Sequence, residues 1–104
     1  MKKTVRVTIE KEYEVELADR VLTQEFVDEF ESYMFEIDGS NLEEKQIALF
    51  EFAARQLAQG EEYFIEGIGK TASVRTVKFK QVPGEAMPVV WNDTYENVET
   101  EVVK

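Results

Sequence analysis

The chain has 104 residues, a net charge of −10 and 43% apolar residues, so we expect a single domain over residues 1–104 with a hydrophobic core of its own. It contains neither histidine nor cysteine, which excludes disulfides, thiolate nucleophiles, imidazole bases and the usual zinc sites. Carboxylates, lysines, tyrosines and hydroxyls remain as reactive groups, and we expect no cofactor, no metal and no enzymatic activity.

The first predicted element is a long strand from Thr4 to Leu17. Its odd positions are apolar except for Lys11, and its even positions are polar. This period of two predicts one buried face and one solvated face, with a bend or bulge at Lys11.

Two helices are predicted next. Apolar residues recur at helical spacing behind Thr23, a typical N-cap, which predicts a helix from Gln24 to Ile37 with Gly39 after it. The Ser-x-x-Glu sequence from Ser40 to Glu43 has the form of a capping box and predicts the start of a second helix, which runs to Gln59. Its apolar positions cover half of its circumference, as expected for a central core helix.

Four further strands are predicted after Gly60. They are Glu62 to Ile68, Ser73 to Val82, Met87 to Trp91 and Tyr95 to Val103, with turn signals at Gly67 and Gly69, at Pro83-Gly84 and at Asn92-Asp93. Pro88 favours an edge position for its strand. The order β-α-α-β-β-β-β predicts an α+β fold, with a mainly antiparallel sheet of about five strands and both helices packed on one face.

The run from Gly67 to Thr71 reads Gly-Ile-Gly-Lys-Thr and invites comparison with a phosphate-binding loop. The loop motif requires a glycine at the position that Phe64 occupies, and it requires a strand that enters a helix. Neither condition is met, so we interpret the two glycines as a tight hairpin turn or bulge.

A second similarity involves a longer segment. A helix that ends at Gly60-Glu61, followed by a strand that turns at Gly67-Ile68-Gly69, resembles HU/IHF-type bacterial DNA-binding proteins over Leu57 to Gly69. The next hairpin of that family is a basic DNA-binding arm, so the resemblance implies nucleic-acid contacts from Arg75, Lys78 and Lys80. The chain departs from the family pattern in having Thr71 where an aromatic residue is expected, an added N-terminal strand and an acidic net charge.

The first predicted helix is unusually acidic. Between Gln24 and Asp38 it carries six acidic residues and no basic one. Four of them share the face opposite the apolar stripe, and since like charges at this spacing repel, the face is either simply solvated or kept for a cationic partner. Phe35 and Phe52, outside the apolar stripes, are candidate anchors for such an interface. The candidate partner-binding residues are Glu25, Asp28, Glu29, Glu36 and Phe35.

The leading hypothesis is a small, acidic, non-enzymatic protein-binding module. It would act as an inhibitor or regulator that mimics nucleic acid toward a basic, nucleic-acid-handling host protein, since carboxylates compete for the cations that bind phosphates. In size, charge and lack of catalytic groups it is similar to small phage-encoded inhibitor proteins. The alternatives are an HU/IHF-like nucleic-acid-binding subunit and a structural or assembly protein that acts through self-association.

The sequence also bears on location and assembly. No stretch reaches the roughly 18 to 20 apolar residues of a membrane span, and residues 1–3 lead into a strand pattern rather than a signal peptide. We expect no membrane association and a cytoplasmic location, that of the host cell if a phage encodes the chain. The leading hypothesis does not favour direct nucleic-acid binding, and it leaves a homodimer open.

Overall fold

The computed structural model describes residues 1–74 and 87–104 and has an α+β fold, which confirms the predicted class. The two helices follow the first strand. The elements are β1 (Val5–Leu17), a 3-10 helix (Asp19–Leu22), α1 (Gln24–Tyr33), α2 (Leu42–Ala58), β2 (Phe64–Ile65), β3 (Gly69–Ser73) and β4 (Val89–Val102).

The sheet differs from the predicted one in strand number and direction. Four strands are present in the described ranges, in the order β1-β4-β3-β2. β4 is antiparallel to β1 but parallel to β3, and β2 is antiparallel to β3, so the sheet is mixed, with two of its three pairings antiparallel. Most of the strand predicted from Ser73 to Val82 falls on residues 75–82, outside the described residues.

The last two predicted strands form one continuous strand, β4. Asn92 and Asp93 pair with Glu14 and Tyr13 instead of forming a turn. The predicted edge position is also wrong, because β4 lies inside the sheet between β1 and β3. Pro88 is compatible with this position since it precedes the first paired residue, where its carbonyl oxygen accepts a hydrogen bond from the Ala18 N–H at 2.9 Å.

A bulge in β4 interrupts its pairing with β1. Glu12 pairs with Tyr95 and Tyr13 pairs with Asp93, which leaves Thr94 as an extra residue on β4. The Thr94 hydroxyl donates to the Glu12 carbonyl oxygen at 3.3 Å. An extra residue reverses which positions of a strand point to a given face, so the core-facing side of β4 changes from odd to even positions at this point.

Helix α1 is shorter than predicted. Thr23 is its N-cap as expected, because its hydroxyl oxygen accepts from the Phe26 N–H at 3.1 Å. The predicted extension to Ile37 is wrong: the backbone leaves the helical region at Met34, and the Ile37 N–H donates to the Glu31 carboxylate at 2.9 Å. Ile37 is buried in the core, and this hydrogen bond replaces the helical one.

Helix α2 begins one residue later than the capping box predicts. Its N-cap is Asn41, whose side-chain oxygen accepts from the Glu44 N–H at 2.9 Å. The Ser40 N–H and hydroxyl both donate to the Glu44 carboxylate, at 3.1 and 2.8 Å. The serine therefore contributes to the start of the helix from outside it.

The two glycines after β2 form the predicted tight turn. Ile65 pairs with Gly69, and the Ile68 N–H donates to the Ile65 carbonyl oxygen at 3.0 Å. Gly67 has a φ of +91°, and a Cβ there would lie 2.5 Å from the ring of Phe30. The turn joins two strands, which is not the strand-to-helix geometry of a phosphate loop.

The core lies between the helices and one half of the β1–β4 pair. Tyr13, Val15 and Leu17 of β1 take part in it, whereas Val5, Val7 and Ile9 are 48%, 56% and 57% exposed. The predicted buried face of β1 is thus correct only for its C-terminal half. The buried members of the core are Leu17, Val21, Val27, Phe30, Ile37, Leu49, Ala53, Leu57, Ile65, Ile68 and Val89.

The outer half of this strand pair forms a projecting ribbon, defined as Val5–Glu12 paired with Tyr95–Val102. Backbone hydrogen bonds between Thr4 and the last two residues extend the pairing to its tip. The radius of gyration is 16.8 Å, against about 13 Å for a compact domain of 100 residues. No helix within the two described ranges is long and apolar enough to cross a bilayer.

Candidate protein-binding site

The outer face of α1 carries three exposed carboxylates, Glu25, Asp28 and Glu29. Val27 and Phe30 occupy the opposite, buried face, as the 3.6-residue period requires. Asp28 accepts a hydrogen bond from the Gln24 amide at 2.8 Å. None of the three forms an ion pair with a lysine or arginine of the described ranges.

Glu31, on the side of α1 that faces α2, is in a different environment. Its carboxylate accepts two hydrogen bonds from the Lys45 ammonium, at 2.9 and 3.0 Å, and a third from the Ile37 N–H. The hydrogen bonds from Lys45 and then from Ile37 lower the pKa of Glu31 below its ordinary value of 4.5. Glu31, which faces α2, is therefore ionised and balanced by the charge of Lys45, whereas the outer-face carboxylates have no such cation within the described ranges.

Phe35 and Glu36 lie on the loop after α1 and not on the helix itself. Phe35 is 46% exposed. Its ring packs edge to face against Phe30 and Phe52, with centroid distances of 5.2 and 5.4 Å. Edge-to-face contacts with two neighbours fix the orientation of a half-exposed ring, so Phe35 is held at the surface rather than folded into the core.

A small pocket opens beside this aromatic cluster, between the loop and α2. Its volume is about 170 Å³. Phe30, Phe35 and Phe52 supply its apolar wall, together with Ile37 and Leu49. We call it the aromatic pocket. Its charged lining residues are Glu36, Asp38, Glu51 and Arg55.

The charge around the aromatic pocket is negative, with three carboxylates and one guanidinium. Glu51 and Arg55 lie one turn apart on α2, but Arg55 makes no ion pair within the described part of the chain. Exposed side chains that are not paired are free to meet a partner without first breaking an internal contact.

The structure therefore divides the predicted site into two places. Glu25, Asp28 and Glu29 share the outer face of α1, as predicted, and we call them the acidic face. Phe35 and Glu36 belong instead to the aromatic pocket. Phe52, which the sequence indicates with Phe35 as a candidate anchor, packs edge to face against Phe35. The sequence did not indicate that Asp38, Glu51 and Arg55 line a common pocket, because their meeting depends on how the loop returns to α2.

Arg75, Lys78 and Lys80 lie outside the described residues, so the HU/IHF-like nucleic-acid site stays a prediction. Within residues 1–74 and 87–104, no group of three or more acidic side chains is arranged to hold a metal ion.

Comparisons with known proteins give no match: no family model fits the chain, and no curated protein or solved structure is significantly similar to it. The resemblance of Leu57 to Gly69 to HU/IHF-type proteins therefore stays an expectation from the sequence. The acidic face and the aromatic pocket have to be interpreted from their own chemistry.

Proposed function

We propose that the chain is a non-catalytic protein-binding module that acts as an inhibitor or regulator by covering a cationic surface on another protein. The observation that carries this proposal is that Glu25, Asp28 and Glu29 form no ion pair within the described residues, in contrast with Glu31 on the same helix, which pairs with Lys45. Carboxylates three or four residues apart on a helix repel one another by a few tenths of a kcal/mol each. This repulsion opposes the stability of α1, partly offset at Glu25 by the helix dipole in the first turn, and a cationic partner would remove it.

A partner that normally binds nucleic acid fits this charge pattern best. Such proteins obtain much of their affinity by placing lysines and arginines against phosphates. Glu25 and Glu29 lie one helical turn apart, about 6 Å along the axis, so a row of anions on α1 offers those cations an alternative ligand. The proposed role is thus that of a nucleic-acid mimic toward a basic host protein, of the kind that phages use against host defence or DNA transactions.

The aromatic pocket supplies the apolar part of the interface. Phenyl rings bordered by carboxylates suit a lysine or arginine side chain, whose aliphatic stem packs on the rings while its charged head meets the acids. Of the acids around the pocket, Glu36 and Asp38 flank Ile37 on the loop. In this proposal Phe35 is an anchor that distinguishes one cationic surface from another, which charge alone does not do.

The test compares two variants that lose the same charge at different places. Affinity is measured first for an oligoarginine peptide and then for proteins captured from nuclease-treated lysate of the native host, at low and high salt. We expect the site variant to lose at least about ten-fold in affinity at low salt, and the control to lose much less. The site variant carries Glu25→Gln, Asp28→Asn, Glu29→Gln and Glu36→Gln; the control carries Glu10→Gln, Glu12→Gln, Glu14→Gln and Glu16→Gln.

Two further measurements test the nucleic-acid mimicry and the role of Phe35. Duplex DNA should compete with the chain for the captured protein, and failure to compete would contradict nucleic-acid mimicry. Phe35→Ala should weaken capture while Tyr63→Ala, which removes an exposed aromatic ring elsewhere, should not. Equal losses in the two charge variants would show that net charge alone is responsible and would overturn the assignment of the acidic face.

A further inference from the structure

The loop between α1 and α2 contains the pair Asp38-Gly39, and an aspartate or asparagine precedes a glycine nowhere else in the chain. Glycine has no side chain, so its backbone nitrogen can approach the side-chain carbonyl carbon of the preceding residue without steric hindrance. Both residues are exposed and lie outside the helices and strands. The pair therefore has the two groups, and the access to water, that an intramolecular acyl transfer requires.

The backbone nitrogen of Gly39 is free to act as a nucleophile. In a helix or a sheet, an amide N–H is held in a hydrogen bond to a carbonyl oxygen. The N–H groups of Ile37 and Ser40 donate to carboxylates, but within the described ranges that of Gly39 has no protein acceptor. The Asp38 carboxylate likewise forms no hydrogen bond or ion pair with a described residue. A reaction between the two groups thus breaks no hydrogen bond of the described fold.

The other aspartates and the asparagines are in less reactive surroundings. Asp28 lies within α1 and Asp93 within β4, where the backbone is held by regular hydrogen bonds, and the next residue in each case has a side chain. Asn41 is the N-cap of α2, and its side-chain oxygen is occupied by a backbone N–H. Position 38 therefore differs from all of them in both sequence and structure. The remaining ones are Asp19 in the 3-10 helix and Asn92 and Asn97 in β4.

We infer that Asp38-Gly39 is a site of spontaneous isomerisation to isoaspartate. The Gly39 nitrogen attacks the side-chain carbonyl carbon of the protonated Asp38 carboxyl group, a C–N bond forms, and the carboxyl O–H leaves as water with the amide proton. The product is a cyclic imide. Water then adds to one of its carbonyl carbons. Attack at the side-chain carbon restores aspartate, whereas attack at the main-chain carbon breaks the original peptide bond and leaves isoaspartate. The net reaction consumes no water, oxidant or reductant.

The fold fixes the chain on both sides of the reacting pair. Ile37 is buried in the core, and a Cβ on Gly39 would lie 2.9 Å from the Cβ of Glu44, so the glycine packs closely on the first turn of α2. Isoaspartate adds one carbon to the main chain between these two points, which is about 1.5 Å of chain length. A close-packed interior transmits such a change instead of absorbing it. The loop must therefore shift relative to α2 when the isomer forms.

Isomerisation would also change the aromatic pocket, and this consequence rests on the proposed function. Asp38 lines the pocket together with Phe35 and Glu36 of the same loop. In the isomer, the free carboxylate sits on the former main-chain carbon, and the longer chain displaces the neighbouring pocket residues. The isomerised chain should therefore bind a cationic partner less tightly, so the modification would act as a slow loss of binding with the age of the protein.

Ageing of the purified full chain tests the inference. The folded protein is incubated, samples are digested with a Glu-specific protease, and isoaspartate is measured by mass spectrometry in the fragment of residues 37–43. Isoaspartate at position 38 should accumulate at least about ten-fold faster than at Asp28 or Asp93. Asp38→Glu should abolish it, because its ring would be one carbon larger. Asp38→Asn should give the same isomers faster, with ammonia as the leaving group.

A synthetic peptide of residues 36–41 is the reference for an unstructured chain. The folded protein should isomerise at a rate within about ten-fold of the rate of the peptide. If Asp38 stays intact in the folded protein while the peptide isomerises, the fold protects the site and the inference is overturned. Equal accumulation of isoaspartate at Asp28 and Asp93 would also overturn it, since the local features of the loop would then not matter.

The effect on binding has a separate readout. Aged and unmodified chains are separated by ion exchange, and each is tested for affinity toward the oligoarginine peptide. Weaker binding by the isoaspartyl chain supports the effect on the aromatic pocket, and equal binding contradicts that effect. Failure of the unmodified chain to bind would contradict the proposed function and would leave the mapped isoaspartate at position 38 unaffected.

Discussion

At the scale of single residues, the described structure depends on contacts that local sequence does not show. Gly67 is the clearest example. The Gly-x-Gly-Lys-Thr run predicts a turn at this position, but it does not reveal that the turn lies against the ring of Phe30, on a helix more than thirty residues earlier. The glycine is required both for its positive φ and for the absence of a side chain.

Gly67→Ala should destabilise the protein strongly. An alanine at φ +91° is strained, and its Cβ would lie 2.5 Å from Phe30, whose ring is buried and packed among Phe26, Phe35 and Phe52 and so has no room to move. We expect a loss of about 2–4 kcal/mol in the free energy of unfolding, measured by urea denaturation.

Gly60→Ala is the matched control for this prediction. Gly60 also has a positive φ, +100°, but nothing lies within 4 Å of the added Cβ. It should lose only about 1 kcal/mol, which is the effect of backbone strain alone. Equal losses in the two variants would show that the contact with Phe30 does not matter.

The lowered pKa of Glu31 predicts that the stability of the fold depends on pH. Its pKa is lowered in the folded state, so its ionised form is stabilised by folding. This contribution is fully present above the ordinary carboxyl pKa of 4.5 and is lost as the pH falls through the lowered pKa of Glu31. The melting temperature of Glu31→Gln should therefore lie below that of wild type at pH 7, and the difference should shrink on acidification below 4.5.

Glu25→Gln is the control for the pH experiment, since Glu25 lies on the same helix but is exposed and has no ion partner in the described ranges. It should leave the melting temperature nearly unchanged at pH 7. A difference between wild type and Glu31→Gln that persists undiminished at low pH would show that the variant acts through packing and not through charge.

At the scale of elements, the sequence predicts what depends on local periodicity and misses what depends on neighbours. The cap of α1 at Thr23 and the hairpin at Gly67 and Gly69 are local features, and both are confirmed. The end of α1 is not local, because Ile37 continues the helical spacing yet is placed in the core by a hydrogen bond to Glu31. The aromatic pocket was missed for the same reason, since it forms only where this loop meets α2.

The β4 strand shows a second kind of failure. Its residues that pair with the apolar face of β1 lie at odd positions at Val89 and Trp91 and at even positions at Val98 and Val102. A change of parity indicates either a turn or a bulge, and Asn92-Asp93 favoured the turn. Whether a turn or a bulge forms depends on pairing with β1. This pairing continues across the bulge and keeps the same face of β4 inward. Periodicity also shows which face of β1 is apolar but not how far the helices extend over it.

The start of α2 provides a prediction that separates sequence from structure. The capping-box pattern points to Ser40, whereas the hydrogen bonds identify Asn41 as the N-cap. Asn41→Ala should lower the free energy of unfolding by about 1 kcal/mol, because the Glu44 N–H loses its acceptor. Ser40→Ala should have a smaller effect, since its backbone N–H still donates to the Glu44 carboxylate. A larger loss for Ser40→Ala in urea denaturation would favour the sequence-based cap.

At the scale of the whole molecule, the same strand pair has two roles. Its inner half completes the core under the helices, and its outer half projects beyond them with an apolar face. The acidic face lies on α1, on a different element from the ribbon.

The ribbon and the core should therefore differ in how their amides exchange with solvent. Amides of Tyr13 to Leu17 that bond to β4 lie against a packed core, so their protection should reflect the stability of the whole domain. Amides of Val5 to Glu10 that bond to β4 lie in a ribbon that opens locally at little cost. They should therefore exchange faster than the amides of Tyr13 to Leu17, which hydrogen–deuterium exchange measures directly. Uniform protection along β1 would mean that the ribbon is as stable as the core.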